Sequence, residues 1–72
     1  MSLQNDREIE VGQVRIALFG DKYEYSYVIL CITDKGQYKS VKVKILEHHD
    51  QAEVGRVNTW FGCSCVKDVV MM

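Results

Sequence analysis

No proline occurs in these 72 residues, which removes stiff linkers and proline-kinked loops from the architectures on offer. No apolar run approaches the roughly 20 residues that a membrane-crossing helix needs. Neither sign of charge dominates, since nine Lys and Arg stand against ten Asp and Glu for a net charge of −1. A chain that grips nucleic acid through counterion release carries a clear basic excess, so sequence-blind binding to DNA or RNA is not expected. Cysteine is scarce and odd in number: Cys31, Cys63 and Cys65 cannot complete a disulfide framework. With no basic-then-apolar leader at the start, the expected setting is a reducing cytoplasm.

What is present is ordinary for a folded domain. The hydrophobic fraction is 47% with 26% charged residues, too apolar for disorder. A domain this short buries only about 60% of the surface its unfolded chain exposes. That leaves little scaffold for a catalytic cleft, and the expectation is a non-enzyme. The polar stretch 1–10 (MSLQNDREIE) is expected to add little to the core, and its Met-Ser-Leu start is of the kind that cloning leaves behind.

From Val11 onward the chain reads as strands and turns. Val14, Ile16 and Leu18 alternate on one face of a first strand after Gly12. Tyr23 to Thr33 is a long β-prone run. Asp34-Lys35-Gly36-Gln37 is a hairpin turn in which glycine supplies the positive φ. Tyr38 to Glu47 returns with strict alternation. Glu47 to Glu53 is a polar loop, Val54 to Trp60 a fourth strand with Gly55 as a bulge, and Cys63 to Val70 a fifth strand. A helix of ten or more residues finds no support in the apolar spacing.

The hairpin permits a register argument. A two-residue loop at Lys35-Gly36 pairs Leu30 with Val41 and Val28 with Val43. The core face is then Val28, Leu30, Ile32, Val41, Val43 and Ile45. Tyr25, Tyr27, Ile29 and Cys31 fall on the opposite face, beside Leu46, Lys44, Lys42 and Ser40. Slipping the third strand by one residue would drive Lys42 and Lys44 into the core, at several kcal/mol each.

The order of these pieces resembles the small SH3-like β-barrels. The likeness rests on Val11-Gly12-Gln13-Val14, on the hairpin of Tyr27–Ile32 with Val41–Leu46, and on Gly55-Arg56-Val57-Asn58-Thr59-Trp60 before a short last strand. It spans roughly Val11 to Val70. The chain is similar to SH3-like proteins of phage and bacterial genomes, in which VGQV, VKVKILE and G-x-V-x-x-W segments recur in that order. The resemblance implies an all-β domain over residues 11–72, a partly open barrel of about five short antiparallel strands. A phage-encoded member would act in the host cytoplasm. These motifs specify architecture and no chemistry. The acidic loop and paired tryptophans of peptide-binding SH3 domains are missing, as are the catalytic arginine and threonine of SH3-like toxin ribonucleases.

Three constellations invite a chemical reading. Cys63-x-Cys65 with His48-His49 offers four zinc ligands, but paired zinc cysteines are normally two to four residues apart. Cysteines at this spacing in a strand are better read as small apolar groups filling core space. For the same cysteines as nucleophiles, a histidine base and a third orienting group are required, and nothing in the chain supplies the third. Trp60-Phe61 is read as an aromatic pair plugging the open mouth of the barrel, with a ligand groove as the other reading. Lys39, Lys42, Lys44 and Arg56 form a basic strip that Glu8, Glu10, Glu24 and Glu47 can neutralise.

The stripe Tyr23, Tyr25, Tyr27 carries the functional expectation. Tyr25, Tyr27, Ile29, Lys42 and Lys44 are expected to form one exposed face that binds a protein partner or a second copy. Weak nucleic-acid binding by the same face is the alternative. No cofactor, metal, catalytic residue or membrane partner is expected.

Overall fold

In the computed structural model, which describes residues 9–71, five antiparallel strands form one open sheet in the order β4-β3-β2-β1-β5. The strands are β1 (Val14–Phe19), β2 (Lys22–Asp34), β3 (Lys39–His48), β4 (Val57–Phe61) and β5 (Val69–Val70). A 3-10 turn at Gln51–Glu53 leads into β4, and a one-turn helix α1 (Gly62–Cys65) follows it. The domain is all-β, as expected. Residues 1–8, including Glu8 of the expected charge-neutralising set, and Met72 lie outside the described residues.

The expected hairpin register fails, and two bulges say why. The turn is longer than two residues: Asp34 pairs with Lys39, and the Lys35 N–H donates to the Tyr38 carbonyl at 2.9 Å. The Asp34 carboxylate takes the Gly36 N–H at 2.8 Å, while Gly36 holds φ +95. This two-residue shift leaves parity intact, so Ile32 still sits beside Val41. Leu30 is then extruded between the pairs Cys31–Lys42 and Ile29–Val43. One extra residue turns every side chain upstream on β2 to the other face.

The inner face of the hairpin is therefore Tyr25, Tyr27, Ile29, Ile32, Val41, Val43 and Ile45, and Leu30 is exposed. Val28 is half-buried on the outer face beside Lys44. A second bulge extrudes Leu46 between the pairs Tyr27–Ile45 and Ser26–Glu47. β3 keeps the expected parity, with Lys42 and Lys44 exposed.

Other segments depart from expectation for related reasons. On β1 the buried side chains are Arg15 and Ala17, whereas Val14 and Ile16 are half-buried and Leu18 is exposed. Ile9, from the segment expected to stay out of the core, is 5% exposed and packs in it. The chain enters β1 alongside β2: Gly12 N–H donates to the Ile29 carbonyl and Ile29 N–H to the Gln13 carbonyl. Gly55 stands just before β4 and forms the expected bulge: at φ +87 it opposes Ile45 together with Arg56, its N–H donating to the Ile45 carbonyl at 2.8 Å and the Ile45 N–H to the Arg56 carbonyl at 2.9 Å. The run from Cys63 is helical first, and its strand is reduced to Val69–Val70. Among the described residues no helix is long and apolar enough to cross a membrane.

Candidate interaction surface

Two groups of side chains stand out once the strands are placed. The first is a buried polar cluster where the segment after α1 meets β1 and β2. The Arg15 guanidinium is fully buried and donates from Nη1 to the carbonyls of Cys65 (3.0 Å) and Asp68 (2.8 Å), and from Nε to Gln13 Oε1 (3.0 Å). The Tyr27 hydroxyl donates to Asp68 Oδ2 at 2.7 Å. Lys67 Nζ, on an exposed side chain, reaches Asp68 Oδ1 at 3.6 Å.

A short helix leaves carbonyls that need donors, and a buried arginine supplies several at once. Burial raises the Tyr27 hydroxyl far above the ordinary tyrosine range, and its hydrogen bond to Asp68 adds to the shift. Burial likewise raises the Cys65 thiol. Tyr27 and Cys65 are thus held protonated, and the cluster works as a latch that fastens the C-terminal segment to the sheet.

The second group is aromatic. Trp60, half-buried on the inner face, meets Tyr27 edge-on with ring centroids 5.1 Å apart and Tyr25 at 6.1 Å. β4 and β2 are not neighbours in the sheet, so these rings reach across β3 on the inner face. Tyr25 also stacks on His48 at 5.4 Å, which stacks on His49 at 4.7 Å. His48 Nδ1 accepts the Asp50 N–H at 3.0 Å.

Phe61 turns away from this cluster, because neighbours on a strand point to opposite faces. It is 57% exposed and meets Tyr38, 45% exposed, edge-on at 5.2 Å. Tyr38, Ser40, Thr59, Trp60, Phe61 and Ser64 line a groove of about 430 Å³. Both residues of the pair thus line the groove, while the Trp60 ring also packs on Tyr25 and Tyr27 on the inner face.

The expected binding face does not exist as one surface. Tyr27 and Ile29 are 0% and 1% exposed, Tyr25 is half-buried in the inner aromatic cluster, and Lys42 and Lys44 stand on the outer face. The physical reason is the Leu30 bulge. Lys42 lies between Cys31 and Thr59, and Lys44 between Val28 and Val57. Cys31 and Cys63 are exposed and free, Cys65 is buried and free, and Cys63 and Cys65 belong to α1 rather than to one strand face. Among the described residues, no three of His, Cys, Asp and Glu gather as metal ligands.

Sequence reasoning missed Tyr38 and Arg15. Antiparallel pairing of the third and fourth strands brings the start of one to the end of the other, which is the signal that places Tyr38 beside Phe61. Arg15 carries no such signal, since apolar alternation points to its neighbours.

β4 pairs with β3, and among the described residues no strand pairs with its other edge. Ile45 N–H donates to the Arg56 carbonyl at 2.9 Å. Alternation along an antiparallel ladder then directs the polar backbone groups of Asn58 and Trp60 toward β3 and those of Val57 and Thr59 outward with the Phe61 N–H, while the Phe61 carbonyl, at the N-cap of α1, accepts the first hydrogen bond of that helix. Comparison with protein-family models, with curated proteins and with solved structures finds no match to this chain.

Proposed function

We propose that this chain is a non-enzymatic interaction module that takes an extended protein segment along the β4 edge and the Tyr38–Phe61 groove. The observation that carries the reading is an uncharged strand edge, unpaired among the described residues, next to two exposed, mutually packed aromatic rings. Edge strands bind extended segments through main-chain hydrogen bonds, and aromatic anchors supply much of the energy of such interfaces. Lys42 and Lys44, on the outer face beside the groove, set orientation. The buried titratable groups Tyr27, Cys65 and Asp68 serve the latch, which supports a binding role over a catalytic one.

Five antiparallel strands in one open sheet, two of them longer than the resemblance implies, support the reading as a small SH3-like interaction domain. The free thiols Cys31 and Cys63 support a reducing, cytoplasmic setting.

The test is an NMR titration with a blocked five-residue peptide of alternating Val and Thr, and separately with single-stranded DNA at two salt concentrations. Peptide shifts confined to Val57–Phe61 and Tyr38, with little salt dependence, are expected. DNA shifts centred on Lys42 and Lys44 that vanish with salt would favour nucleic acid instead.

A further inference from the structure

We infer that the extended segment received by the β4 edge is β4 of a second copy, paired antiparallel about a two-fold axis through Thr59. The inference rests on the reading of β4 as the interaction edge and adds the partner and the register. Natural sheets guard long edges with lysine, proline or a bulge. β4 (Val57-Asn58-Thr59-Trp60-Phe61) carries none of these and no charge within its own five residues, the bulge at Gly55 and the charge of Arg56 lying just before it. The other edge, β5, is guarded by its length of two residues, so head-to-tail pairing of β4 on β5 offers little and a closed dimer is favoured over a filament.

The outward backbone groups fall on Val57, Thr59 and Phe61, a set symmetric about Thr59. In that register Thr59 faces Thr59 of the second copy, and Val57 faces Phe61 of the second copy in both directions. The Thr59 N–H and C=O, the Val57 C=O and the Phe61 N–H then find partners, while the Phe61 C=O is already held by the first turn of α1. Val57 and Phe61, 52% and 57% exposed, cover one another as cross-strand neighbours. Electrostatics permit it, because Lys42 and its counterpart are three strand spacings apart, about 14 Å, beyond the Debye length of about 8 Å at physiological salt. Two five-residue strands make a contact at the small end of interface sizes, below about 1,200 Å². The equilibrium should therefore depend on concentration.

The experiment combines sedimentation equilibrium with cysteine cross-linking in a Cys31→Ser, Cys63→Ser background. The wild-type mass should rise from monomer to dimer with concentration. Thr59→Cys should form an intermolecular disulfide with itself, since facing residues in such a ladder sit within disulfide range. Val57→Cys should link efficiently to Phe61→Cys and poorly to itself. Thr59→Lys, which puts like charges on the axis, should weaken association at least about tenfold while the amide spectrum stays folded. Thr59→Pro, which removes an outward donor alone, should also be monomeric. A monomer at every concentration, or self-linking at Val57 in place of Thr59, overturns the inference. The edge itself is judged separately by the peptide titration, so loss of the dimer with peptide shifts retained rejects the second copy and keeps the interaction edge.

Discussion

Tyr27 joins the core to the latch through one hydrogen bond, so its hydroxyl can be tested almost alone. Tyr27→Phe keeps the ring against Trp60 and strips Asp68 Oδ2 of its donor. A loss of about 1–3 kcal/mol is expected from a buried acceptor left unpaired, read as a lower urea midpoint at unchanged slope. Arg15→Ala removes the donors of two buried carbonyls and should cost more, with amide exchange accelerating first in residues 65–70.

The raised Tyr27 and Cys65 groups also set a pH dependence. Each stays protonated in the folded state at a pH where the unfolded chain has released its proton. Folding then holds more protons than unfolding, and stability falls as pH rises. The contribution is fully present below the unfolded values, about 8.5 for cysteine and 10 for tyrosine, and is lost progressively above them. Urea midpoints measured from pH 7 to 11 should decline from about pH 8.5, and Cys65→Ala should delay the onset toward the tyrosine range.

At the scale of the element, the bulge at Leu30 decides which residues face inward. Deleting Leu30 restores unbroken pairing from Tyr27 to Asp34 with Ile29 and Cys31 still on their present faces. Deleting Val28 turns Tyr25 and Tyr27 outward. Leu30 deletion should leave a folded, cooperative domain, while Val28 deletion should abolish the native amide spectrum. The connection after β2 gives a parallel test. Gly36 holds a positive φ with nothing near a would-be Cβ, so the cost of substitution there is conformational. Gly36→Asn should be tolerated better than Gly36→Val, by about 1 kcal/mol in urea melts.

The same bulge shows where legibility ended. Strand existence, the parity of β3 and the exposure of Lys42 and Lys44 follow from strict alternation, which is a local property. The parity of β2 was not legible from the turn, because Val28 to Ile32 is apolar on both faces and nothing in it marks Leu30 as the extra residue, whereas the alternation Tyr23-Glu24-Tyr25-Ser26-Tyr27 was the signal that Tyr25 and Tyr27 face inward. The short helix at Gly62–Cys65 escaped for a different reason. Its fate is decided by Arg15, fifty residues earlier, which satisfies a carbonyl that a strand would have paired. Trp60-Phe61 was legible as important, but its two rings serve opposite faces.

For the whole molecule, the sheet has two ends of different character. At the β5 end, buried hydrogen bonds fasten a two-residue strand to β1. At the β4 end, Trp60 packs on Tyr25 and Tyr27 on the inner face while Val57, Thr59 and Phe61 lie on the outer face, Phe61 beside Tyr38. On the proposed reading the polar latch serves stability and the aromatic edge serves contact. Phe61→Ala should therefore leave the urea midpoint within about 1 kcal/mol and weaken association, whereas Tyr27→Phe should do the reverse.

Amide hydrogen exchange along β4, followed as a function of protein concentration, tests the central claim most directly. The account predicts slow exchange at Asn58 and Trp60 throughout, with fast exchange at Val57, Thr59 and Phe61 in dilute solution that slows as concentration rises. Strong protection of Val57, Thr59 and Phe61 in the dilute monomer would contradict it, since the edge would then already be covered by the chain itself.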